Sequence, residues 1–335
     1  MARLSPVVCC ADGILTKVNP HIYIYSPSSA VRDRMAFRRG VRRLKSLGYD
    51  VELDPACLNH HQRFAGTDEE RLNAISRAAD SKAAAVLISR GGYGLTRLLP
   101  KLPYAAIGKS ITSGTRWIGL SDFTALQLAL MTQQPGAHTW AGPAVGEDFG
   151  ADPSLATANQ PLPDDIMEAC FQDLISGVGE GAGWRLPHSD RLSATVGGEL
   201  VQIENAMLWG GNLSILVSLL ATPYFPTVHD GILFLEDVAE HPYRIERNLT
   251  QLLHSGVLAK QKAILLGQFS QYRLVKGYDR GFNMKTIVNR LKNFLPDIKI
   301  YTGLPFGHVP TKIMLPVGLP VNLICDRKDV VLQWK

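Results

Sequence analysis

The chain has 335 residues, and its 35 Lys and Arg outnumber its 30 Asp and Glu, which gives a formal net charge of +5 at pH 7. Hydrophobic residues make up 46% and charged residues 19%, a globular balance that excludes disorder, collagen and coiled coils. Five cysteines without CxxC spacing exclude a disulfide-dense scaffold and give no zinc or redox motif. No apolar run approaches the ~20 residues that span a bilayer, so we expect a cytoplasmic protein without membrane contact.

Strand-like and helix-like segments alternate through the first half of the chain. Apolar runs predict strands over 21–26, 50–53, 84–89 and 117–120, and amphipathic spacing predicts helices over 30–47, 67–81 and 122–132. The second of these helices begins with a capping-box pattern at Thr67-Asp68-Glu69-Glu70. Such alternation is typical of βαβ units, and it predicts a mostly parallel sheet.

The amino-acid composition of the sequence changes after Gly146. Proline and glycine are frequent between 146 and 190, around a short predicted helix over 164–175, which indicates a linker between domains. Short apolar runs over 231–235, 263–267 and 330–334 then predict strands, with a helix over 243–255.

One predicted helix concentrates positive charge. Its cations are Arg32, Arg34, Arg38, Arg39, Arg42, Arg43 and Lys45. Met35, Val41 and Leu44 form the expected buried stripe between them. No aromatic or motif context for nucleic acid accompanies these cations, and we interpret them as a solvated helix face. Nucleic-acid binding is kept as an alternative that depends on charge alone.

A serine at the end of a predicted strand is the first candidate for chemistry. Ser121 stands in Gly119-Leu120-Ser121-Asp122-Phe123-Thr124, between a buried strand and a helix. A serine on such a turn presents its hydroxyl above the sheet edge, near backbone N–H groups that can hold an oxyanion. Phe123 departs from the G-x-S-x-G pattern, and a plain helix cap is the alternative.

Three other motifs also follow predicted strands or lie in loops. Ser89-Arg90-Gly91-Gly92-Tyr93-Gly94 allows close approach of a ligand or simply forms a tight turn. Glu236 and Asp237 end an apolar strand, where an acid could orient a histidine or cap a helix. His308 lies in the loop motif Leu304-Pro305-Phe306-Gly307-His308 and is a candidate general base. The order Ser, acid, His recurs in serine hydrolases built on α/β sheets.

Nucleotide and metal motifs are missing from the sequence. It contains neither GxxxxGK[ST] nor GxGxxG, and it lacks HExxH or any other metal-ligand spacing among its nine histidines. We therefore expect no metal and no cofactor.

The motifs together resemble the LD-carboxypeptidase family of serine peptidases, the muramoyltetrapeptide carboxypeptidases. The resemblance is carried by AGTDEER at 65–71, SRGGYG, GLSDFT, GGNLS at 210–214, the segment 232–253 and LPFGH, in this order. It extends from about residue 21 to the end of the chain and implies an α/β fold. A Rossmann-like N-terminal domain with a mostly parallel sheet would precede a C-terminal β-rich α+β domain. The expected boundaries are an extension over 1–20, domains over 21–160 and 191–335, and a linker over 161–190.

The resemblance also implies roles for particular residues. Ser121 is similar to the family's nucleophile, Glu236 to its triad acid and His308 to its base, with the backbone N–H groups of Asp122 and Gly92 as the oxyanion hole. The implied reaction releases the terminal D-Ala of murein tetrapeptides during peptidoglycan recycling, and family members are commonly homodimers. Four further candidates would bind the substrate and its D-residue carboxylate: Arg90, Gly211, Asn212 and Arg244. A salt bridge with Glu240 is the alternative role for Arg244.

Two other functions remain open at this stage. The first is a self-immunity peptidase of the microcin C type, which uses a similar triad on aminoacyl-nucleotide antibiotics. Relatives of that kind match less well around GGNLS and the segment 236–247, so the sequence favours a murein peptide. The second is a non-catalytic α/β binding protein, against which the presence of Ser121, Glu236 and His308 argues.

Overall fold

The computed structural model describes residues 7–8, 16–17, 19–158, 160–188, 200–326 and 328–334. Its longer helices are α1 (Arg34–Ser46), α2 (Asp68–Asp80), α3 (Tyr104–Thr112), α4 (Thr124–Gln133), α5 (Asp165–Ser176), α6 (Leu213–Ser218), α7 (Pro242–His254) and α8 (Met284–Phe294). Its strands are β1 (Val7–Val8), β2 (Thr16–Lys17), β3 (His21–Tyr25), β4 (Asp50–Leu53), β5 (Ala85–Ile88), β6 (Arg116–Gly119), β7 (Thr139–Ala141), β8 (Gly181–Arg185), β9 (Val201–Asn212), β10 (Gly231–Val238), β11 (Gln261–Ser270), β12 (Lys299–Thr302), β13 (Leu315–Val317), β14 (Leu319–Cys325) and β15 (Asp329–Gln333).

The chain divides into two compact units. The first takes in the residues up to 119 together with 142–179, and the second takes in 120–141 together with 180–335. The segment that contains Ser121 therefore belongs to the second compact unit. The domain boundaries expected from the sequence, 21–160 and 191–335, remain a prediction. The predicted linker over 161–190 contains α5 and β8, and its last two residues, like most of the predicted extension over 1–20, lie outside the described residues.

The first unit is built on a parallel sheet. Its strands lie in the order β4–β3–β5–β6. The central strand β5 has the sequence AVLI and is buried along its whole length, as expected for a parallel strand covered on both faces. Thr67 and Glu70 form the predicted capping box at the start of α2. The expected βαβ alternation is confirmed in this unit.

Helix α1 places its positive charge in solvent, as predicted. Of the seven predicted cations, Arg32 precedes the helix and is exposed, five within the helix are exposed, and Arg39 is half-buried. The predicted stripe is wrong at Met35, whose side chain is 58% exposed, because the helix turns Ala36, Phe37, Gly40 and Leu44 inward. Arg43 forms a bidentate ion pair with the buried carboxylate of Glu168, with two N···O distances of 2.6 Å.

The second unit is built on a mixed sheet of seven strands in the order β12–β11–β10–β9–β14–β15–β8. Strands β9 to β12 run parallel, whereas β14, β15 and β8 are joined by antiparallel pairing. Strands β7 and β13 form an additional antiparallel pair. The predicted fold class is therefore confirmed: a mostly parallel α/β unit and a β-rich α+β unit. Strand β9 and helices α3 and α8 were not predicted.

Membrane-spanning helices are not found in the described residues, where every helix is too short or too polar to cross a bilayer.

The contact of α1 with the turn at 145–149 gives a stability prediction. A Cβ at Gly40 would lie 2.1 Å from the carbonyl oxygen of Val145. We expect Gly40→Ala to lower the free energy of unfolding by about 1–3 kcal/mol, because overpacking outweighs the ~1 kcal/mol that Ala normally contributes in a helix. Urea unfolding followed by circular dichroism measures the change. Arg42→Ala, at an exposed position of the same helix, is the control, and a stabilised Gly40→Ala would contradict the prediction.

Candidate active site

The carboxylate of Glu236 lies at the carboxyl end of the central strand β10. Its side chain is buried, and β10 itself pairs with the parallel strands β9 and β11 on its two sides. An ionised carboxylate at such a position requires hydrogen-bond donors, because burial without them costs several kcal/mol. One oxygen, Oε2, lies 2.8 Å from Nδ1 of His308, and the other, Oε1, accepts a hydrogen bond of 3.1 Å from Nδ2 of Asn212.

The predicted acid and base are thus in contact. His308 keeps 15% of its side-chain surface exposed, against 1% for Glu236, so the imidazole faces outward from a buried partner. A carboxylate in contact with Nδ1 is the arrangement of an acid that orients a general base.

The loop before His308 is shaped by Gly307. Its φ is +139°, a value that side chains other than glycine rarely adopt. A Cβ there would lie 2.9 Å from the carbonyl oxygen of Gln268 and 3.3 Å from Oε2 of Glu236. Gly307 therefore permits the close approach that brings His308 onto the carboxylate.

Ser121 occupies the predicted strand-to-helix turn. Its φ is +64°, a left-handed conformation for a residue with a side chain, and it begins a single 3-10 turn over Ser121–Phe123 that leads into α4. Strain of this kind clusters at functional sites. The cap positions of that turn and of α4 are held by Leu120 and Phe123, neither of which forms a side-chain cap. The plain helix-cap alternative therefore gains no support.

The hydroxyl of Ser121 is not hydrogen-bonded to the Glu236–His308 pair within the described part of the chain. Among the described residues, Ser121 Oγ forms no hydrogen bond, whether to His308 or to another group. Hydrogen bonds between a nucleophile and its base often tighten only when substrate binds. The structure thus joins two members of the predicted triad and places the third on a strained turn of the same unit.

Asn212 connects this turn to the acid. Its backbone N–H donates to Oγ1 of Thr124 in the first turn of α4, at 3.0 Å. Gly211 makes the contact possible, since its φ is +132° and a Cβ there would lie 2.5 Å from the same oxygen. Predicted as substrate-binding residues, Gly211 and Asn212 are found where the end of β9 packs on α4.

The side chain of Asn212 is fully engaged within the protein. Besides Glu236, its Nδ2 donates to Oδ1 of Asp237 at 3.0 Å, and its Oδ1 accepts from the backbone N–H of Ile215 at the start of α6. Sequence reasoning missed this role, although the spacing of Asn212 before a helix is itself a cap signal.

Asp237 is a second buried carboxylate next to the first. It accepts hydrogen bonds from Nδ2 of Asn212, from the backbone N–H and hydroxyl of Ser214, and from its neighbour Val238. Burial raises the pKa of Asp237 above its ordinary value, and the nearby Glu236 carboxylate adds to the rise. The two acids are adjacent in the sequence, which does not indicate which one contacts His308.

The remaining predicted residues in the first unit lie after strand β5. Gly92 has a φ of +109°, and a Cβ there would lie 2.4 Å from Oγ of Ser29. Ser29 Oγ also accepts a hydrogen bond from the N–H of Tyr93 at 3.0 Å, and Arg71, which is fully buried, donates to the carbonyl oxygen of Gly94. Arg90 pairs with Glu147 at 3.4 Å. The assignments of Gly92 and Arg90 stay predictions.

Asp122 and Arg244, both in the second unit, have contrasting environments. Asp122 is buried directly after Ser121. Arg244 is 51% exposed in α7, pairs with Glu240 at 3.6 Å and lies over the ring of Tyr243. This ion pair with Glu240 is the alternative to substrate binding that the sequence analysis gave for Arg244.

The α/β fold, a buried Glu–His pair and a serine on a strained turn are features expected of a serine-type hydrolase. Models of the LD-carboxypeptidase N-terminal and C-terminal domains match residues 22–142 and 205–323. The chain belongs to the LD-carboxypeptidase family, and it is a carboxypeptidase-type hydrolase of this serine peptidase family.

Named relatives agree with this assignment. The chain is 31% identical to the probable murein peptide carboxypeptidase of Bacillus subtilis, over 87% of this chain and 84% of the relative. It is 28% identical to the murein tetrapeptide carboxypeptidase of Pseudomonas aeruginosa, over 97% and 98%. The crystal structure of a muramoyltetrapeptide carboxypeptidase from Oxalobacter formigenes superposes with a TM-score of 0.77 at 36% identity, over 93% and 97%. The microcin C7 self-immunity protein shares the fold, with a TM-score of 0.79 at 23% identity over 95% and 97%.

The raised pKa of Asp237 predicts a pH-dependent contribution to stability. A carboxyl group whose pKa is higher in the folded state binds its proton more tightly there, so its contribution is present at low pH and is lost as the pH rises through the folded pKa. We expect the stability difference between wild type and Asp237→Asn to be larger near pH 4 than near pH 8. Urea unfolding across this range measures it, with Asp165→Asn, an exposed acid of α5, as the control. A difference that grows with pH would contradict the sign.

Proposed function

We propose that this chain is a serine LD-carboxypeptidase that releases the terminal D-Ala of murein tetrapeptides, in peptidoglycan recycling. The observation that carries the proposal is the 2.8 Å contact between His308 and the buried Glu236, in a chain whose relatives are named murein peptide carboxypeptidases. We further propose that the enzyme acts in the cytoplasm as a homodimer, in line with the family.

The reaction follows from the chemistry of the three side chains. Ser121 attacks the carbonyl carbon of the scissile bond while His308 Nε2 takes the hydroxyl proton. The same imidazolium then returns the proton to the amino group of the leaving D-Ala, and water hydrolyses the acyl-enzyme. Glu236 keeps Nδ1 protonated and stabilises the imidazolium, a role suited to a carboxylate that cannot turn toward solvent.

An N–H group next to the nucleophile supports the tetrahedral intermediate. The backbone of Asp122 belongs to the 3-10 turn that Ser121 begins, so its N–H is a candidate donor to the oxyanion. Gly92 is the second predicted donor. For the D-residue carboxylate, Arg90 and Arg244 remain the proposed cationic partners, and Gly211 would contribute through its backbone. The side-chain amide and the backbone N–H of Asn212 are already engaged within the protein, so Asn212 would act by fixing the backbone at Gly211.

The proposal predicts the effect of removing the nucleophile. Ser121→Ala should lower kcat for D-Ala release from a murein tetrapeptide by at least about 10³-fold, since the covalent route is lost. Release is measured with a coupled D-amino acid assay on protein treated with a chelator. Ser176→Ala, an exposed serine at the end of α5, is the matched control. Full activity of Ser121→Ala would reject the nucleophile assignment.

A second prediction concerns the acid. Glu236→Gln keeps the shape of the side chain but places an amide next to Nδ1, so we expect a loss in kcat of about 10²–10⁴-fold with an intact fold. Thermal unfolding and near-ultraviolet circular dichroism check the fold of the variant. Wild-type kcat in Glu236→Gln would exclude the proposed role.

The same assays separate the remaining alternatives. The microcin-type self-immunity function is kept because solved structures of that protein share the fold. Wild-type protein that consumes an aminoacyl sulfamoyl adenosine or adenylate and leaves the tetrapeptide intact would favour that alternative. Protein that binds the tetrapeptide and hydrolyses neither compound would favour a non-catalytic binding protein.

A further inference from the structure

A cavity in the second unit lies beside the end of β11, whose Gln268 is hydrogen-bonded to the loop that precedes His308. Its volume is about 750 Å³, within the range of small-molecule sites. One wall is the end of β11, from Leu266 to Phe269, and the opposite wall is helix α8. Thr302 ends β12 and Gly303 follows it, so the cavity opens at the carboxyl edge of the parallel strands, where α/β sheets bind ligands.

The chemistry of the walls indicates an anionic ligand with an apolar body. On α8, Lys285, Asn289 and Lys292 recur at intervals of four and three residues, which places them on one face of the helix, and all three line the cavity. Val288 and Phe269 supply apolar surface. Lys285 is exposed and forms no ion pair within the described part of the chain, so its ammonium group is available to a ligand.

The surrounding segment adds to the positive charge. Residues 271–292 contain six Lys or Arg and one acid, Asp279. That acid is occupied, because Asp279 Oδ2 lies 3.0 Å from Nε2 of His241 and accepts the N–H of Val275. Two of the six cations, Lys285 and Lys292, line the cavity, whereas Arg290 pairs with Glu246 at 3.5 Å. Exposed cations of this kind attract carboxylates over distances of about a Debye length.

The wall of the cavity is also the support of the catalytic loop. The N–H of Gln268 donates to the carbonyl oxygen of Phe306 at 2.8 Å, and its Nε2 donates to that of Leu304 at 3.1 Å. Two residues further along, Ser270 Oγ donates to the carbonyl oxygen of His308 at 3.1 Å. A ligand in the cavity would therefore lie against the residues that carry the general base.

We propose that this cavity, which we call the α8 pocket, binds an internal carboxylate of the peptide substrate, with Lys285 as its ion-pair partner. The inference depends on the proposed function, because the scissile bond must be presented to His308 while another part of the same peptide occupies the pocket. It makes Lys285 a specificity-determining residue that favours peptides with a free carboxylate upstream of the D-residue.

The test compares two substrates. One is a murein tetrapeptide with free internal carboxylates, and the other is the same peptide with those carboxylates amidated and the terminal D-Ala unchanged. For wild type we expect a KM about fivefold lower for the free acid, the size of one partly screened ion pair, and little difference in kcat. Lys285→Ala should abolish the preference, and Lys285→Glu should reverse it.

Two further variants control for general effects. Lys299→Ala removes an exposed lysine that does not line the pocket and should keep the fivefold preference. Val288→Trp fills the pocket and should raise KM for the free acid while leaving the fold intact by circular dichroism. An unchanged KM ratio in Lys285→Ala and Lys285→Glu would overturn the inference even if both variants release D-Ala.

A binding measurement separates this inference from the proposed reaction. Calorimetric titration of each tetrapeptide into Ser121→Ala, with and without Lys285→Ala, reports the preference without turnover. Hydrolysis by wild type with equal affinity for the two peptides rejects the pocket alone. Absence of hydrolysis by wild type rejects the proposed function, and a lack of any Lys285-dependent preference in binding then rejects the pocket as well.

Discussion

A carboxylate buried at the end of a central strand is the constraint on which the site depends. Glu236 has no exposed surface, so its charge has to be offset by donors that the fold brings to it. His308 and Asn212 approach its two oxygens from different segments of the second unit. Strand β10 can hold the acid there because it pairs with β9 and β11 on its two sides, which leaves the side chain little freedom to turn away.

This carboxylate is also connected to the turn that carries the serine. Asn212 donates from its side chain to Glu236 and from its backbone to Thr124, three residues after Ser121. The lack of a side chain at Gly211 lets α4 approach the end of β9 closely enough for that bond. The left-handed backbone of Ser121 is therefore held against a helix that is itself fixed to the acid's partner. The sequence motifs GLSDFT, GGNLS and LEDV describe one connected set of contacts.

Local patterns predicted much of the fold. Alternating apolar strands and amphipathic helices identified the parallel sheet, and a serine between a strand and a helix identified the turn at Ser121. Strand β9 was missed because its first half alternates between partly exposed and exposed residues, whereas its second half is buried on both faces, so no single period extends over Val201–Asn212. Helix α8 was missed in a stretch dominated by cations.

The contacts between distant residues explain what else the sequence left open. Nothing local indicates whether Glu236 or Asp237 meets His308, because that depends on which face of the sheet each side chain takes. The family resemblance assigned the acid, and the structure adds its physical partner. Asn212 was expected to bind substrate, but its amide is shared between the two carboxylates, which no spacing in the sequence reveals. The sequence motif contains Gly307 but does not show why glycine is needed there. The structure shows it, because a Cβ at this position would lie 3.3 Å from Oε2 of Glu236.

The two neighbouring acids at the end of β10 have separate partners. Glu236 bonds to His308, while Asp237 holds the start of α6 through the N–H and hydroxyl of Ser214. The amide of Asn212 donates to both, so it offsets part of the repulsion between two buried charges that only one imidazole partners. Burial is the main cause that raises the pKa of Asp237, and the neighbouring Glu236 carboxylate adds to the rise. A raised pKa favours the protonated form of Asp237, which reduces the charge repulsion between this group and the neighbouring Glu236.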